Sequence, residues 1–141
     1  VKLPEEICTY WKLEVGYLLP PNVLILVADV SQNQLKSLPE YIGRLVALKE
    51  LQAYSNQIAT LPTSLSECPE LEVLVLSQNK LTEFAVLKIP TLVRISLAYA
   101  FAGPIPASSI QFSGLDQLRS IDLSGCHLTE LPNSITSCSH L

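Results

Sequence analysis

One line of residues returns five times along this chain, and that periodicity limits its folding more than any other feature. Aligned on asparagine, the first copy reads Ile25-x-x-Ala28-x-Val30-x-x-Asn33-x-Leu35-x-x-Leu38-Pro39. The second is Leu48-x-x-Leu51-x-Ala53-x-x-Asn56-x-Ile58-x-x-Leu61-Pro62, and the third is Leu71-x-x-Leu74-x-Leu76-x-x-Asn79-x-Leu81-x-x-Phe84. The fourth, Leu92-x-x-Ile95-x-Leu97-x-x-Ala100-x-Ala102-x-x-Ile105-Pro106, lacks the asparagine. The fifth, Leu118-x-x-Ile121-x-Leu123-x-x-Cys126-x-Leu128-x-x-Leu131-Pro132, has cysteine in its place, and Leu141 opens a sixth. The starts at 25, 48, 71, 92, 118 and 141 are separated by 23, 23, 21, 26 and 23 residues.

Each spacing has a mechanical meaning. The x-Leu-x-Leu-x core alternates with period two, so it predicts a short strand with one face turned inward. A side-chain amide three residues beyond the strand can bond backbone groups of the turn. Repeated along the copies, Asn33, Asn56, Asn79 and the substituted Cys126 would stack as a ladder. Leu-Pro then closes the turn, and the apolar residue four positions after that leucine (Ile42, Leu65, Ile135) opens an outer return segment. A single unit cannot bury its own leucines, so neighbours must stack into a curved rod with parallel strands on its inner face.

This line resembles the leucine-rich-repeat family over residues 25–141, in five copies of 25–47, 48–70, 71–91, 92–117 and 118–140. The stretch Leu38-Pro39-Glu40-Tyr41-Ile42-Gly43-Arg44-Leu45 is similar to the intracellular, Ras-group-like subclass. Gly103-Pro104-Ile105-Pro106 is similar instead to plant-type repeats, a local variant that the other copies lack. The resemblance implies an α/β leucine-rich-repeat solenoid with a parallel sheet on the concave side and 3₁₀ or irregular segments on the convex side. It also implies a non-catalytic scaffold or signalling adaptor that binds a partner protein, in the manner of repeats that engage small GTPases or phosphatases. A second reading makes the chain the recognition or regulatory segment of a larger kinase, cyclase, phosphatase or ubiquitin ligase.

Residues 1–24 fall outside the period. Pro4, Glu5 and Glu6 precede Ile7, Tyr10, Trp11, Val15 and Leu18 at mostly helical spacing, and Pro20-Pro21 ends the segment. That pattern fits a helical cap over the first strand; Leu3-Pro4-Glu5-Glu6-Ile7 also fits the tail of an earlier repeat. At the other end, Pro132 to Leu141 supplies no polar capping unit, and the chain is expected to continue natively beyond residue 141.

The composition excludes several classes of function. Leucine alone accounts for 26 of 141 residues, whereas nine basic and thirteen acidic side chains are scattered without clusters. A nucleic-acid face needs clustered Lys and Arg, and an anionic membrane surface needs the same. The longest apolar run, 23–28, falls far short of the ~20 residues of a membrane span. No secretory leader is visible at the start, and neither a CxxC pair nor a glycosylation sequon occurs, which favours the reducing cytoplasm. No Gly-rich phosphate loop or nucleophile–base pattern is present, and His127 and His140 are the sole near-neutral bases, so neither catalysis nor a cofactor nor a small-molecule substrate is expected. Cys126-His127 with Cys138-Ser139-His140 has a faint zinc flavour. Against it, Cys126 stands at an asparagine position, and Cys68 and Cys138 share the position held by Leu45 and Phe112.

Information for a partner therefore resides at the outward strand positions. The copies present Leu26, Val27, Asp29, Ser31, Gln32; Lys49, Glu50, Gln52, Tyr54, Ser55; Glu72, Val73, Val75, Ser77, Gln78; Val93, Arg94, Ser96, Ala98, Tyr99; and Arg119, Ser120, Asp122, Ser124, Gly125. In the middle, Val73, Val75 and Val93 with Tyr54 and Tyr99 make an apolar patch, edged by Glu50, Gln52, Glu72 and Arg94. Leu26 and Val27 are expected to face solvent unless covered, and the fourth copy, with Ala100 for Asn and Ala102 for Leu, marks drift or a functional bend.

Overall fold

The computed structural model describes residues 25–84 and 88–141, apart from the side chain of Tyr41. The expected cap at 1–24, with Cys8, lies outside the described residues. Each copy contributes one three-residue strand: β1 (Val27–Asp29), β2 (Glu50–Gln52), β3 (Val73–Val75), β4 (Arg94–Ser96) and β5 (Ser120–Asp122). They pair in sequence order, all parallel, in one five-stranded sheet. The central residues Ala28, Leu51, Leu74, Ile95 and Ile121 lie side by side across that sheet and turn inward. The first four are wholly buried. This is the solenoid that the period-two leucines demand.

Return segments close each turn on the other side. Short 3₁₀ helices occupy η1 (Glu40–Arg44), η2 (Thr63–Glu67), η3 (Ala107–Ser109) and η4 (Asn133–Ser137). Each follows a proline in extended conformation whose carbonyl accepts the first turn's N–H, as from Ile42 to Pro39 at 3.1 Å and from Leu65 to Pro62 at 3.2 Å. Proline fits there because its fixed φ leads into the turn and its missing N–H is not needed. The apolar residue of each return segment then points back: Ile42 and Leu65 are buried, and Ile135 is half-buried. At Gly43, η1 and η2 come so close that a Cβ would overlap the Ser64 carbonyl oxygen and stand 2.9 Å from Glu67 Cβ.

Asparagine amides tie successive turns together. Asn56 Nδ2 donates to the Val30 carbonyl of the preceding copy (3.0 Å) and to Ala53 of its own (3.2 Å), while its Oδ1 accepts from Leu35 N–H (3.0 Å). Asn79 repeats the arrangement on Ala53 (2.9 Å), Leu76 (2.8 Å) and Ile58 N–H (3.0 Å). Asn33, in the first copy, donates to the Val30 and Ser31 carbonyls of its own turn. Cys126 reaches the preceding copy as the asparagines do, its Sγ 3.1 Å from the Leu97 carbonyl.

The fourth copy departs from the sequence alignment in register. Ala100 cannot accept the Leu81 N–H through a side chain, so its backbone carbonyl does so at 2.8 Å, and Ala102 N–H returns a bond to Leu81. This direct bridge pairs Leu81 with Phe101. Phe101, not Ala102, therefore takes the core slot, and Ala102 is exposed. A count from the asparagine position points to Ala102, and the backbone bridge moves the slot one residue earlier. The longer step that follows is filled by aromatics: Phe84 pairs with Ile110 and packs on Phe112, ring centroids 5.8 Å apart.

Candidate functional site

The sheet sets the concave face out as a grid. One outward row runs Val27, Glu50, Val73, Arg94, Ser120, and the next runs Asp29, Gln52, Val75, Ser96, Asp122. Just before the strands, backbone bonds link Leu26, Lys49, Glu72, Val93 and Arg119 into a third row. Parallel pairing continues beyond the strands: the N–H groups of Gln32, Ser55, Gln78 and Tyr99 donate to Tyr54, Ser77, Ala98 and Ser124 at 2.8–2.9 Å. All four donors have positive φ, between 53° and 57°. A left-handed residue turns the chain out of the sheet while keeping the last rung, and a non-glycine residue costs roughly 1–2 kcal/mol there. In the fifth copy Gly125 holds this position at φ 65° without that cost.

This grid settles which residues meet. Val73 and Val75 are adjacent outward positions of β3, flanked directly by Glu50 and Gln52 on one side and by Arg94 and Ser96 on the other. Val93 sits one row away, beside Glu72, whose backbone carbonyl accepts its N–H. Glu50 accepts from Gln52 Nε2 at 2.6 Å, and Lys49 pairs with Glu72 at 3.7 Å. The two tyrosines do not converge on the valines. Tyr54 Oη accepts from Gln32 Nε2 at 3.4 Å, so its ring leans toward the first copy. Tyr99 leans the other way, with its ring over Gly125, where any Cβ would overlap it. Tyr99 is 61% exposed.

Between the tyrosines the floor is made of small side chains, Val75, Ser77, Ser96 and Ala98, with the Ser77 and Ser96 hydroxyls hydrogen-bonded at 2.8 Å. At the fifth copy the Ser124 hydroxyl and N–H hold the Asp122 carboxyl below the usual carboxylate range, with Ser96 and Arg94 adding to the effect. At the other margin Leu26, 50% exposed, and Val27 face outward as the pattern predicts, while Ser31 is buried on Asp29 and leaves the outward set. Cys68, Cys126 and Cys138 are free and buried, with pKa values pushed up by burial. Among the described residues no helix is long and apolar enough to cross a membrane.

Comparison with known proteins supports this architecture. The sequence model of the Leucine Rich Repeat family matches residues 117–138, the fifth copy. A leucine-rich repeat and calponin homology domain-containing protein of Drosophila melanogaster is 33% identical over 140 residues, covering 81% of this chain. The mouse leucine-rich repeat serine/threonine-protein kinase 1 is 30% identical over 129 residues, covering 85% of this chain. The chain spans 17% of the first relative's length and 6% of the second's. Among solved structures, an internalin from Listeria monocytogenes superposes with TM-score 0.68 at 19% identity over 83% of this chain and 33% of its own. A leucine-rich-repeat protein of Leptospira interrogans gives TM-score 0.56 at 22% identity over all of this chain and 38% of its own.

Proposed function

We infer that this leucine-rich-repeat solenoid is a non-catalytic protein-interaction module whose concave face binds a partner protein. The observation that carries the reading is the composition of β3 against its neighbours. Both outward positions there are valine, whereas those of β5 are Ser120 and Asp122. Val73 and Val75 are flanked by Glu50 and Gln52 on one side and Arg94 and Ser96 on the other, with Val93 and Glu72 one row away and Tyr54 and Tyr99 leaning outward at the margins. A partner desolvating the valines would meet a charged rim that fixes its register. The ladder residues Asn33, Asn56, Asn79 and Cys126 are placed by the same reading in a structural role. Reduced buried thiols and the 23-residue steps of the Ras-group-like pattern favour a cytoplasmic signalling or scaffolding setting.

The second reading, a recognition segment of a larger signalling enzyme, is favoured by the mouse kinase relative, of which this chain spans 6%. The two share the concave site and differ in what the site serves. A pull-down with the Tyr54→Ala, Val75→Asp double variant, folding checked by circular dichroism, tests the shared part. Loss of capture by a folded variant is the expected result. Undiminished capture would overturn the concave assignment.

A further inference from the structure

We propose that the occupant of the concave face is a single amphipathic α-helix of a partner protein, lying along the strands over β3 and β4, with a basic edge above Glu50 and Glu72 and an acidic edge above Arg94 and Arg119. The proposal rests on the concave-face reading and adds the shape and charge of what binds. Shape comes from the tyrosines. Tyr54 leans from β2 toward Gln32 and Tyr99 from β4 over Gly125, which leaves a channel between them. At ~4.8 Å per strand the channel is about three spacings, or ~14 Å, wide. A helix with its side chains is ~10–12 Å across. Val75, Ser77, Ser96 and Ala98 on the channel floor are small, and the longer Gln78 at its far end accepts a hydrogen bond from Ser55 on the β2 side. An added β-strand is excluded here because a sheet face, unlike an edge, offers no unpaired backbone groups.

Charge supplies the orientation across the channel. On the β2–β3 side stand Glu50, Glu72 and Lys49, a net charge of −1. On the β4–β5 side stand Arg94, Arg119 and Asp122, a net charge of +1. The sign thus changes between β3 and β4, along the channel's length. A uniformly charged helix meets repulsion on one edge, and a helix with split edges meets attraction on both. Gly125 is a positioning residue in this arrangement, since any side chain there would push the Tyr99 ring back across the channel.

The test uses three labelled 20-residue helical peptides with one Ala/Leu stripe: Lys along one edge and Glu along the other, Lys along both, or Glu along both. A fourth carries two central prolines in the split-edge sequence. Fluorescence anisotropy against the full chain should show the split-edge peptide binding at least tenfold tighter than the other three. In the Arg94→Glu, Arg119→Glu variant, which makes both edges acidic, preference should move at least tenfold toward the all-Lys peptide. Equal binding of the proline-broken peptide, lost in Tyr54→Ala, Val75→Asp, would overturn the helix while leaving the concave site standing. Split-edge binding that survives Tyr54→Ala, Val75→Asp would overturn both. Binding of none of the peptides would overturn the helical occupant, and the partner pull-down would still decide the site.

Discussion

Replacing Asn79 by alanine should destabilise the solenoid far more than replacing Thr136, although each side chain donates a hydrogen bond to a carbonyl of its own turn. Asn79 is 6% exposed, and its amide serves two copies at once. Its Nδ2 donates to Ala53 (2.9 Å) and Leu76 (2.8 Å), and its Oδ1 accepts from Ile58 N–H (3.0 Å). Alanine leaves the buried Ile58 N–H without an acceptor and the Ala53 carbonyl with one donor fewer. A buried polar group stranded in this way costs roughly 1–3 kcal/mol, so the loss should total about 2–4 kcal/mol. Thr136 is exposed, and its hydroxyl donates to the Asn133 carbonyl of its own copy (2.8 Å). Its loss should therefore cost about 1 kcal/mol or less. Urea unfolding of both variants, followed by far-ultraviolet circular dichroism with a common m-value, gives the comparison. Equal losses, or a smaller one at Asn79, would refute the claim that the ladder works by joining copies.

Three further outcomes follow from the packing. Gly43→Ala should destabilise by about 1–2 kcal/mol in the same urea assay, because the added Cβ overlaps the Ser64 carbonyl. Without that contact the substitution would stabilise by ~0.4–1 kcal/mol through the unfolded state, so the sign alone decides. Ala100→Asn, which restores the repeat's own residue, should also destabilise, by about 1–3 kcal/mol: Leu81 N–H, the counterpart of the groups that Asn56 and Asn79 accept from, already donates to the Ala100 carbonyl, and Ala100 is fully buried. Cys68, Cys126 and Cys138 should react with a thiol reagent only on unfolding. Since burial raises their pKa values above the ordinary 9.0, the unfolded chain releases thiol protons first, and stability should fall as pH rises from about 9 through the folded values. Native-state labelling as fast as in urea, or stability rising over that pH range, would contradict this.

Much of the fold was legible because burial and period coincide. Leu51, Leu74 and Ile95 stand at the period-two positions and are all wholly buried, so a strand in each copy and parallel stacking followed from spacing alone. What stayed hidden depended on backbone geometry or on neighbours distant in sequence. The left-handed residues Gln32, Ser55, Gln78 and Tyr99 share no chemistry that marks positive φ, and only Gly125 signals it. Gly43 reads as an ordinary turn residue until η2 is packed against it. The shift from Ala102 to Phe101 arises from a backbone bridge to Leu81, which a count from Ala100 misses. At the concave face, the lateral adjacency of Glu50, Val73 and Arg94 was readable from the alignment. The opposite lean of Tyr54 and Tyr99 was not, because it depends on Gln32 and Gly125 in other copies.

Recognition through the concave face is tested most directly by photo-crosslinking from two positions of the folded chain. A photoreactive residue in place of Val75 stands on the concave floor, and one in place of the exposed Ser108 stands on the return segment η3. Mass spectrometry of the partner captured from cells should show crosslinks from position 75 and none from position 108. Crosslinks from position 108 with none from position 75 would contradict the account.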